Sequence, residues 1–199
     1  MIEIYTQDIG GVWFGAAFAQ QQIVASSFSE SQQLTLSNIL GNIPFNVSFQ
    51  VFHEPSAFAK NVLTSLKSIY EGKNVDASFS LSLARLPNYT QKVLKTTMGI
   101  PPGYVASYGS IAKTAGGGPR AVGNIMASNP FAPIVPCHRV VKSDFTLGGY
   151  GGGLKTKFEL LEREKRGFQA SKEIEVNGRQ LKVFPVEHVL KIWLNLKFF

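Results

Sequence analysis

The residues of this sequence best suited to chemistry are Cys137 and His138, neighbours in the run Pro136-Cys137-His138-Arg139-Val140. Cys137 is the only cysteine of the chain. A free thiol has a pKa of about 8.5 and is mostly protonated at neutral pH, so a nucleophilic cysteine needs a base and a positive environment. Because neighbouring side chains tend to point apart, we expect His138 to act through a water molecule or from an irregular backbone.

Glu164 is a third candidate. It follows Leu160 and Leu161 on the same apolar face of a predicted helix. A carboxylate in that position is costly unless it is paired or functional. The three residues together suggest a Cys-His-Glu relay, whereas a cysteine beside a histidine is equally typical of a buried structural thiol. Spacing alone does not separate these interpretations.

Basic residues are concentrated around the cysteine. The net charge is +7, and residues 101–170 contain nine Lys or Arg against four Asp or Glu, whereas residues 1–85 contain four against six. Such clustering favours a polyanionic partner, nucleic acid before membrane. A solvated basic surface is the alternative that charge alone leaves open.

Several classes of protein and site are disfavoured. No run of 18 apolar residues occurs, and the first five residues lack the features of a signal peptide. One cysteine cannot form an internal disulfide, which favours a reducing compartment. We therefore expect a cytoplasmic protein, or a nuclear one if the source has a nucleus. Because the chain contains only that one cysteine and three scattered histidines, we expect no metal site.

Residues 1–85 predict a small α/β N-terminal domain, an antiparallel sheet with helices. Alternating and β-branched runs predict strands, while capping and apolar periodicity predict helices. The predicted strands are 2–5, 12–15, 23–25, 46–52 and 77–83, and the predicted helices run from a capping box at 29–32 to Gly41 and from Ser56 to Gly72. This part of the sequence contains no catalytic constellation.

Residues 86–170 predict a mostly helical C-terminal domain. Helices are expected over 88–98, 107–115 and 120–128, the last two joined by Gly116-Gly117-Gly118 in a helix-turn-helix, winged-helix-like pattern. A glycine-rich loop at 148–153 would let backbone amides approach a ligand. Thr156 and Glu159 form a second capping box before a helix that ends at Gly167.

Residues 171–199 form a C-terminal extension. Asn177-Gly178 between two apolar runs predicts a hairpin, and residues 186–199 predict an apolar amphipathic helix. Packing of this extension onto the core is the expectation, and a surface for a partner is the alternative.

The run around Cys137 resembles the active-site signature of the O6-alkylguanine-DNA alkyltransferases, the methylated-DNA–protein-cysteine methyltransferases. Further motifs recur in the family's order, and the resemblance extends from about Leu86 to Gly167. These motifs are Ser107-Tyr108, Pro119-Arg120-Ala121-Val122-Gly123, Asn129-Pro130, the glycine loop around Tyr150, and Leu160-Leu161 followed by Glu164.

The resemblance implies a reaction and the residues that perform it. Cys137 would attack the alkyl carbon on O6 of guanine. His138 would act as the base through a water molecule, and Glu164 would hold the imidazole. Asn129 would brace the turn of the cysteine, and Tyr108 would hydrogen-bond the departing guanine. The product would be a thioether, so each protein molecule would react once, without a cofactor.

The resemblance also implies how DNA is bound. Arg120 would replace the flipped nucleotide in the stack, with the recognition helix in the minor groove of duplex DNA and the protein acting as a monomer. The DNA-binding residues would be Ser107, Tyr108, Arg120, Ala121 and Gly123. The alkylguanine-binding residues would be Val140, Tyr150, Gly151 and Gly152, with the carbonyls of Cys137 and Val140 on the exocyclic amine. O4-alkylthymine is a possible second substrate of such a protein.

Two departures and two alternatives accompany the resemblance. Some relatives bind a structural zinc through N-terminal cysteines that this chain lacks, and Gly151 stands where relatives often have serine. A non-enzymatic helix-turn-helix protein that binds DNA or senses lesions would explain the charge and Arg120, but it would leave Cys137, His138 and Glu164 idle. A cysteine hydrolase would use the relay but release product repeatedly.

Overall fold

The computed structural model describes residues 1–75 and 78–196 of the chain, which divides into two units. The first unit contains Met1–Tyr70, Asn74–Arg85 and Pro130–Ile134, and the second contains Glu71–Lys73, Leu86–Asn129 and Val135–Phe199. Within the described ranges, no helix is both long enough and apolar enough to cross a bilayer. The predicted fold class, an α/β unit followed by a largely helical one, is confirmed.

The first unit is built on a four-stranded sheet with two helices. Strands β1 to β3 form the predicted meander, whose second turn contains Gln20 and Gln21 at positive φ. Strand β4 pairs parallel to β1, so the sheet is mixed rather than purely antiparallel, in the order β3-β2-β1-β4. The elements are β1 (Ile2–Asp8), β2 (Trp13–Ala19), β3 (Gln22–Ser29), α1 (Gln32–Leu40), β4 (Phe49–Phe52) and α2 (Ala57–Tyr70).

Two local predictions in this unit are wrong. The N-cap of α1 is Ser31, whose side chain accepts a hydrogen bond from the Leu34 amide, and not Ser29 of the expected capping box. The strand expected at 77–83 begins at Ala77, outside the described residues, and in place of its remainder Leu81 makes one isolated bridge to Ile23 before a 3-10 turn at Leu83–Arg85.

The second unit combines five helices with a second four-stranded sheet. Its elements are α3 (Asn88–Met98), β5 (Tyr104–Ser107), α4 (Tyr108–Ala115), α5 (Pro119–Ala127), a 3-10 turn (Cys137–Arg139), β6 (Val140–Val141), α6 (Leu154–Arg163), β7 (Lys172–Val176), β8 (Arg179–Pro185) and α7 (Val186–Leu196). The sheet order is β6-β5-β8-β7, and only its β7–β8 hairpin was predicted. Helix α6 begins at Leu154 after the N-cap Gly153, so the capping box expected at Thr156 is also wrong.

The C-terminal extension is part of the core of the second unit, as expected. Strand β8 pairs antiparallel with β5. On its other edge, β5 pairs with β6, which follows the 3-10 turn that begins at the cysteine. Val186, Val189 and Leu190 of α7 are buried in the cluster that also contains Phe158 and Leu161 of α6. Helix α7 is described as far as Leu196, so the last three residues of the predicted helix lie outside the described residues.

Helices α4 and α5 are joined by the predicted glycine turn. Ser107 caps α4 by accepting from the Ser110 amide, and Gly116, with φ of 81°, ends it in the left-handed conformation that glycine adopts readily. Pro119 occupies the first turn of α5, where its missing N–H costs nothing. The turn therefore places the N-terminal end of α5, with Arg120, at the surface of the unit.

Candidate active site

The backbone around Cys137 forms two tight turns in succession. The Cys137 amide donates to the Val135 carbonyl at 2.8 Å across Pro136, whose φ of −79° and ψ of 65° are those of an inverse γ-turn. The Arg139 amide then donates to the Pro136 carbonyl, also at 2.8 Å. In this irregular backbone, Cys137 is only 7% exposed.

Asn129 fixes the same segment from the end of α5. Its Nδ2 donates to the Val135 carbonyl at 2.9 Å, the oxygen that also accepts from the Cys137 amide. Burial raises the pKa of the Cys137 thiol, and hydrogen bonding from Asn129 offsets part of that increase. The thiol is therefore predominantly protonated at neutral pH, and a nucleophilic role requires a group that removes its proton.

His138 has the geometry of a base backed by a carboxylate. Its Nε2 lies 2.9 Å from Oε1 of Glu164, and both side chains are 1% exposed. Burial lowers the pKa of His138, and Glu164 offsets this only in part, so the neutral ring is favoured. A neutral ring that donates from Nε2 to a carboxylate has its free lone pair on Nδ1. This Nδ1 is buried and has no hydrogen-bond partner among the described residues.

Arg139 secures the carboxylate of Glu164. Its Nε lies 3.0 Å from both carboxylate oxygens and its Nη2 2.7 Å from Oε1, while Nη1 donates to the Ile100 carbonyl. The Gly103 amide donates to Oε2 at 3.3 Å. Burial opposes ionisation of Glu164, but His138 and Arg139 outweigh it and lower the pKa of the carboxyl to about 2. Glu164 is therefore a fixed anion that orients the imidazole.

Lys157 is a buried cation that contacts the strand following the cysteine. Its Nζ donates to the carbonyls of Val140, Leu147 and Gly149 at 2.6, 2.5 and 3.3 Å. Burial lowers the pKa of Lys157 to about 8, an effect that its interaction with Cys137 opposes. The ammonium group ties the glycine-rich loop to the strand that follows the cysteine and, by the same interaction, lowers the pKa of the thiol.

Tyr108 contacts the glycine-rich loop, and both Tyr108 and Tyr150 of the loop interact with Cys137. Burial and the thiol both raise the pKa of Tyr108, whose hydroxyl lies 3.5 Å from the Gly149 carbonyl. Gly148 has a φ of 67°, and a Cβ there would lie 3.0 Å from the Tyr108 ring, so the loop approaches the ring as only glycine allows. Burial raises the pKa of Tyr150 well above its usual value, again with a contribution from Cys137.

Of the remaining predicted residues of the loop, Gly151 leaves space open, whereas a Cβ at Gly152 would lie 3.0 Å from the Tyr150 ring. Gly151 and Gly152 are exposed, and a Cβ at Gly151 would meet nothing within 4 Å. A groove of about 470 Å³ opens beside the loop. It is lined by Lys142, Thr146, Leu147, Gly148, Gly149, Tyr150, Leu154 and Trp193.

The predicted DNA-binding residues lie on the two helices that the glycine turn joins, apart from Ser107, which ends β5. Ser107 caps α4, and its hydroxyl contacts that of Ser110 at 2.9 Å. Arg120 and Ala121 are exposed in the first turn of α5. A Cβ at Gly123 would meet nothing within 4 Å, so the outer face of α5 is open. No described carboxylate forms an ion pair with Arg120.

Sequence reasoning missed Lys157 and Arg139. Both are charged side chains in apolar surroundings, and the signal for Lys157 was present. It precedes Leu160 and Leu161 by three and four residues, the same spacing that singles out Glu164 after them. Arg139 has no comparable signal, because it lies in an irregular turn without a period.

Metal ligation has no candidate among the described residues, since no group of three or more His, Cys, Asp or Glu side chains there is placed to hold an ion.

Comparison with known proteins gives concordant matches. Residues 88–166 match the family model described as 6-O-methylguanine DNA methyltransferase, DNA binding domain. The methylated-DNA–protein-cysteine methyltransferase of Methanothermobacter thermautotrophicus is 39% identical over 111 residues, 55% of this chain and 63% of that protein. The protein of that name from Mycobacterium leprae is 42% identical over 56% of this chain and 68% of its own length. The first match thus spans less than two thirds of the relative.

A solved structure resembles a larger part of the chain. The crystal structure of Mycobacterium tuberculosis OGT in complex with DNA superposes with a TM-score of 0.65 at 32% identity. The superposition covers 82% of this chain and 92% of that one. Sequence and structure therefore point to the same relatives.

Proposed function

The chain belongs to the family of methylated-DNA–protein-cysteine methyltransferases, and from this premise we propose that it repairs DNA by direct reversal, transferring the alkyl group of O6-alkylguanine to Cys137. The observation that supports this best is the hydrogen-bonded pair His138–Glu164, whose histidine directly follows the buried Cys137 in the chain. Residues 86–170 would contain the whole of this machinery.

The proposed reaction is a displacement at the alkyl carbon. The sulfur of Cys137 forms a bond to that carbon while the bond from the carbon to O6 breaks and its electron pair leaves with guanine. The thiol proton passes through a water to Nδ1 of His138, whose lone pair is free among the described residues. Glu164 stabilises the imidazolium so formed, since its own pKa of about 2 keeps it ionised throughout.

Lys157 would favour the thiolate during this step. A cation that interacts with the sulfur lowers the cost of separating the thiol from its proton, because burial otherwise penalises the charged form. Its three carbonyl contacts hold it in place before the substrate arrives. Asn129 acts in the same direction through its hydrogen bond to the thiol, and it also braces the turn of the cysteine.

The guanine base would occupy the space between the cysteine and the glycine-rich loop. Tyr108 would donate a hydrogen bond to the departing base, the Gly151 amide would donate to O6, and Tyr150 and Gly152 would border the base. The carbonyls of Cys137 and Val140 would accept from the exocyclic amine. The Val140 carbonyl already accepts from Lys157, which fixes its direction.

Duplex DNA would bind along α5. The O6 position is buried in a base stack, so the nucleotide must be turned out of the helix at a cost of a few kcal/mol. The exposed Arg120 would fill the vacated position, and Ala121 and Gly123 are small enough for close approach in the minor groove. Ser107 at the start of α4 would contact the DNA backbone. Each protein molecule would repair one lesion, which could be O6-alkylguanine or O4-alkylthymine.

The decisive experiment is mass spectrometry of the protein after incubation with a duplex that contains O6-methylguanine. We expect the peptide with Cys137 to gain the mass of one CH₂, in an amount that never exceeds the amount of protein. Cys137→Ala should still bind the duplex and gain nothing. Methylation of that variant, or repeated turnover by the native chain, would exclude the proposal, and binding without any methyl uptake would favour a lesion sensor.

A further inference from the structure

The tip of the C-terminal hairpin is seated on the end of helix α4. The Thr114 hydroxyl donates to the Gln180 carbonyl at 3.0 Å, and Nη1 of Arg179 donates to the Thr114 carbonyl at 3.1 Å. A Cβ at Gly116 would lie 3.7 Å from the same Nη1. The guanidinium of Arg179 therefore lies against the turn that leads into α5.

The hairpin fixes which side chains face this turn. Arg179 pairs across the strands with Val176, while Gln180 pairs with Glu175 and Lys182 with Glu173. Because successive side chains of a strand point to opposite faces, Arg179 lies on the face of the buried Val176 and Glu175 lies on the other. The two carboxylates of β7 are thus directed away from Arg179.

Arg179 retains binding capacity beyond its contact with α4. Its side chain is exposed, and its one described hydrogen bond uses one of five guanidinium N–H groups. Neither Arg179, Lys113 nor Arg120 forms an ion pair with any carboxylate in the described ranges. These three exposed cations belong to the segments that meet at one turn, so their combined positive potential favours an anion there.

We propose that Arg179 is a DNA-binding residue, placed by the C-terminal hairpin beside the glycine turn to contact a backbone phosphate next to the path of α5. The planar guanidinium suits phosphate oxygens, and holding one N–H on the Thr114 carbonyl orients the rest of the group before DNA arrives. Arg179 lies outside residues 88–166, the part of the chain that matches the family model. The inference rests on the proposed function, because it requires DNA as the partner of α5.

The test is the salt dependence of DNA affinity, since every phosphate contact contributes about 0.9 to the slope of log K against log salt. Affinity for one fluorescent duplex is measured by anisotropy between 50 and 200 mM NaCl for the native chain, R179Q and R179K. R179Q removes the charge but keeps a donor, and R179K keeps the charge. We expect the magnitude of the slope to decrease by about 0.9 in R179Q and to stay unchanged in R179K. The ratio of native to R179Q affinity should therefore fall about 3.5-fold as the salt rises from 50 to 200 mM.

A matched control uses the other face of the same strand. K182A removes an exposed cation of β8 that is directed away from Arg179, and its slope should equal that of the native chain. Equal slopes for the native chain, R179Q and R179K would overturn the inference, as would an equal loss in K182A. Methyl uptake by Cys137 of the native chain is scored separately, so failure of the inference and failure of the proposed function give different results.

Discussion

Glu164 shows how a single carboxylate can serve both stability and reactivity. It accepts hydrogen bonds from the His138 ring, the Arg139 guanidinium and the Gly103 amide while almost fully buried. An anion buried so completely is tolerated only because these donors replace its hydration. The interaction that orients the base thus also keeps Arg139 paired, and the two functions cannot be removed independently.

Glu164→Gln should lower the free energy of unfolding at pH 7 by about 3–5 kcal/mol, because it leaves Arg139 buried without its partner. The folded pKa of Glu164 is lowered from 4.5 to about 2. Its stabilising contribution is therefore complete above pH 4.5 and is lost as the pH falls towards 2. The native chain should lose about 3 kcal/mol over that window through this group, and the gap to Glu164→Gln should narrow accordingly.

Urea unfolding at a series of pH values measures this difference. Glu159→Gln is the control, since the pairs of the partly exposed Glu159 with Lys155 and Arg163 are long, at 3.9 and 3.8 Å, and the change should alter stability by less than about 1 kcal/mol. A gap between native and Glu164→Gln proteins that stays constant down to pH 2 would contradict the assigned pKa.

The predictability of the site depends on whether a residue lies in a periodic element. Glu164 follows two leucines at helical spacing, so its burial was predictable, although it caps α6 rather than lying within it. Lys157 obeys the same rule and was overlooked. Arg139 and His138, whose Nδ1 has no partner within the described part of the chain, lie in an irregular turn. The direction of that turn depends on contacts distant in sequence. The roles of all these residues in catalysis remain predictions.

At the scale of elements, the turn between α4 and α5 is enclosed from two sides. Arg179 lies on one side, and the Tyr89 ring of α3 lies so close on the other that a Cβ at Gly117 would be 2.1 Å from its hydroxyl. Gly118, the next residue, has open space. The turn is thus restricted by packing at one glycine and free at its neighbour.

Gly117→Ala should destabilise the chain by about 1–3 kcal/mol and weaken DNA binding, because the turn or Tyr89 must move. Gly118→Ala should cost less than about 1 kcal/mol, the preference for glycine over alanine at an N-cap. Thermal unfolding and anisotropy with one duplex measure both effects. Tyr89→Ala should remove the clash with the added methyl group, so Gly117→Ala should destabilise the Tyr89→Ala variant less than it destabilises the native chain. An equal destabilisation in both would refute the packing explanation.

Elements formed by nearby residues were predictable, and those fixed by distant partners were not. Apolar periodicity indicated helix α2, and Asn177-Gly178 indicated the hairpin, since both signals are local. Strand β5 was missed because its partner β8 lies some 80 residues further along the chain. Both predicted capping boxes were wrong because a four-residue match occurs readily by chance. The N-caps of α1 and α6 are Ser31 and Gly153.

At the scale of the molecule, segments that are neighbours in sequence can belong to different units. Pro130–Ile134 belongs to the first unit although it lies between Asn129 and the cysteine. There the Ser26 amide donates to the Pro130 carbonyl at 2.8 Å, and the Ser26 hydroxyl donates to the Ala132 carbonyl at 3.0 Å. The C-terminal extension likewise supplies a strand and a helix to the second unit.

Two leucines of α7 test whether the extension is structural. Leu190 is 6% exposed in the core cluster, whereas Leu194, one turn later, is 48% exposed. Leu190→Ala should cost about 2–5 kcal/mol through lost burial and a cavity. Leu194→Ala should cost less than about 1 kcal/mol. Urea unfolding of both variants measures this difference, and equal costs would mean that α7 does not complete the core.

Because Cys137 is the only cysteine of the chain and is buried, its rate of reaction with a thiol reagent measures how often the structure around it opens. A thiol reagent has one site to modify in 199 residues, and that site is 7% exposed with a raised pKa, so labelling of the closed molecule should be slow. Where reclosing outpaces labelling, the observed rate is the rate for the unfolded chain multiplied by the open fraction. Labelling kinetics, followed against denaturant, would therefore yield the free energy of the opening that uncovers this one segment, with no probe introduced.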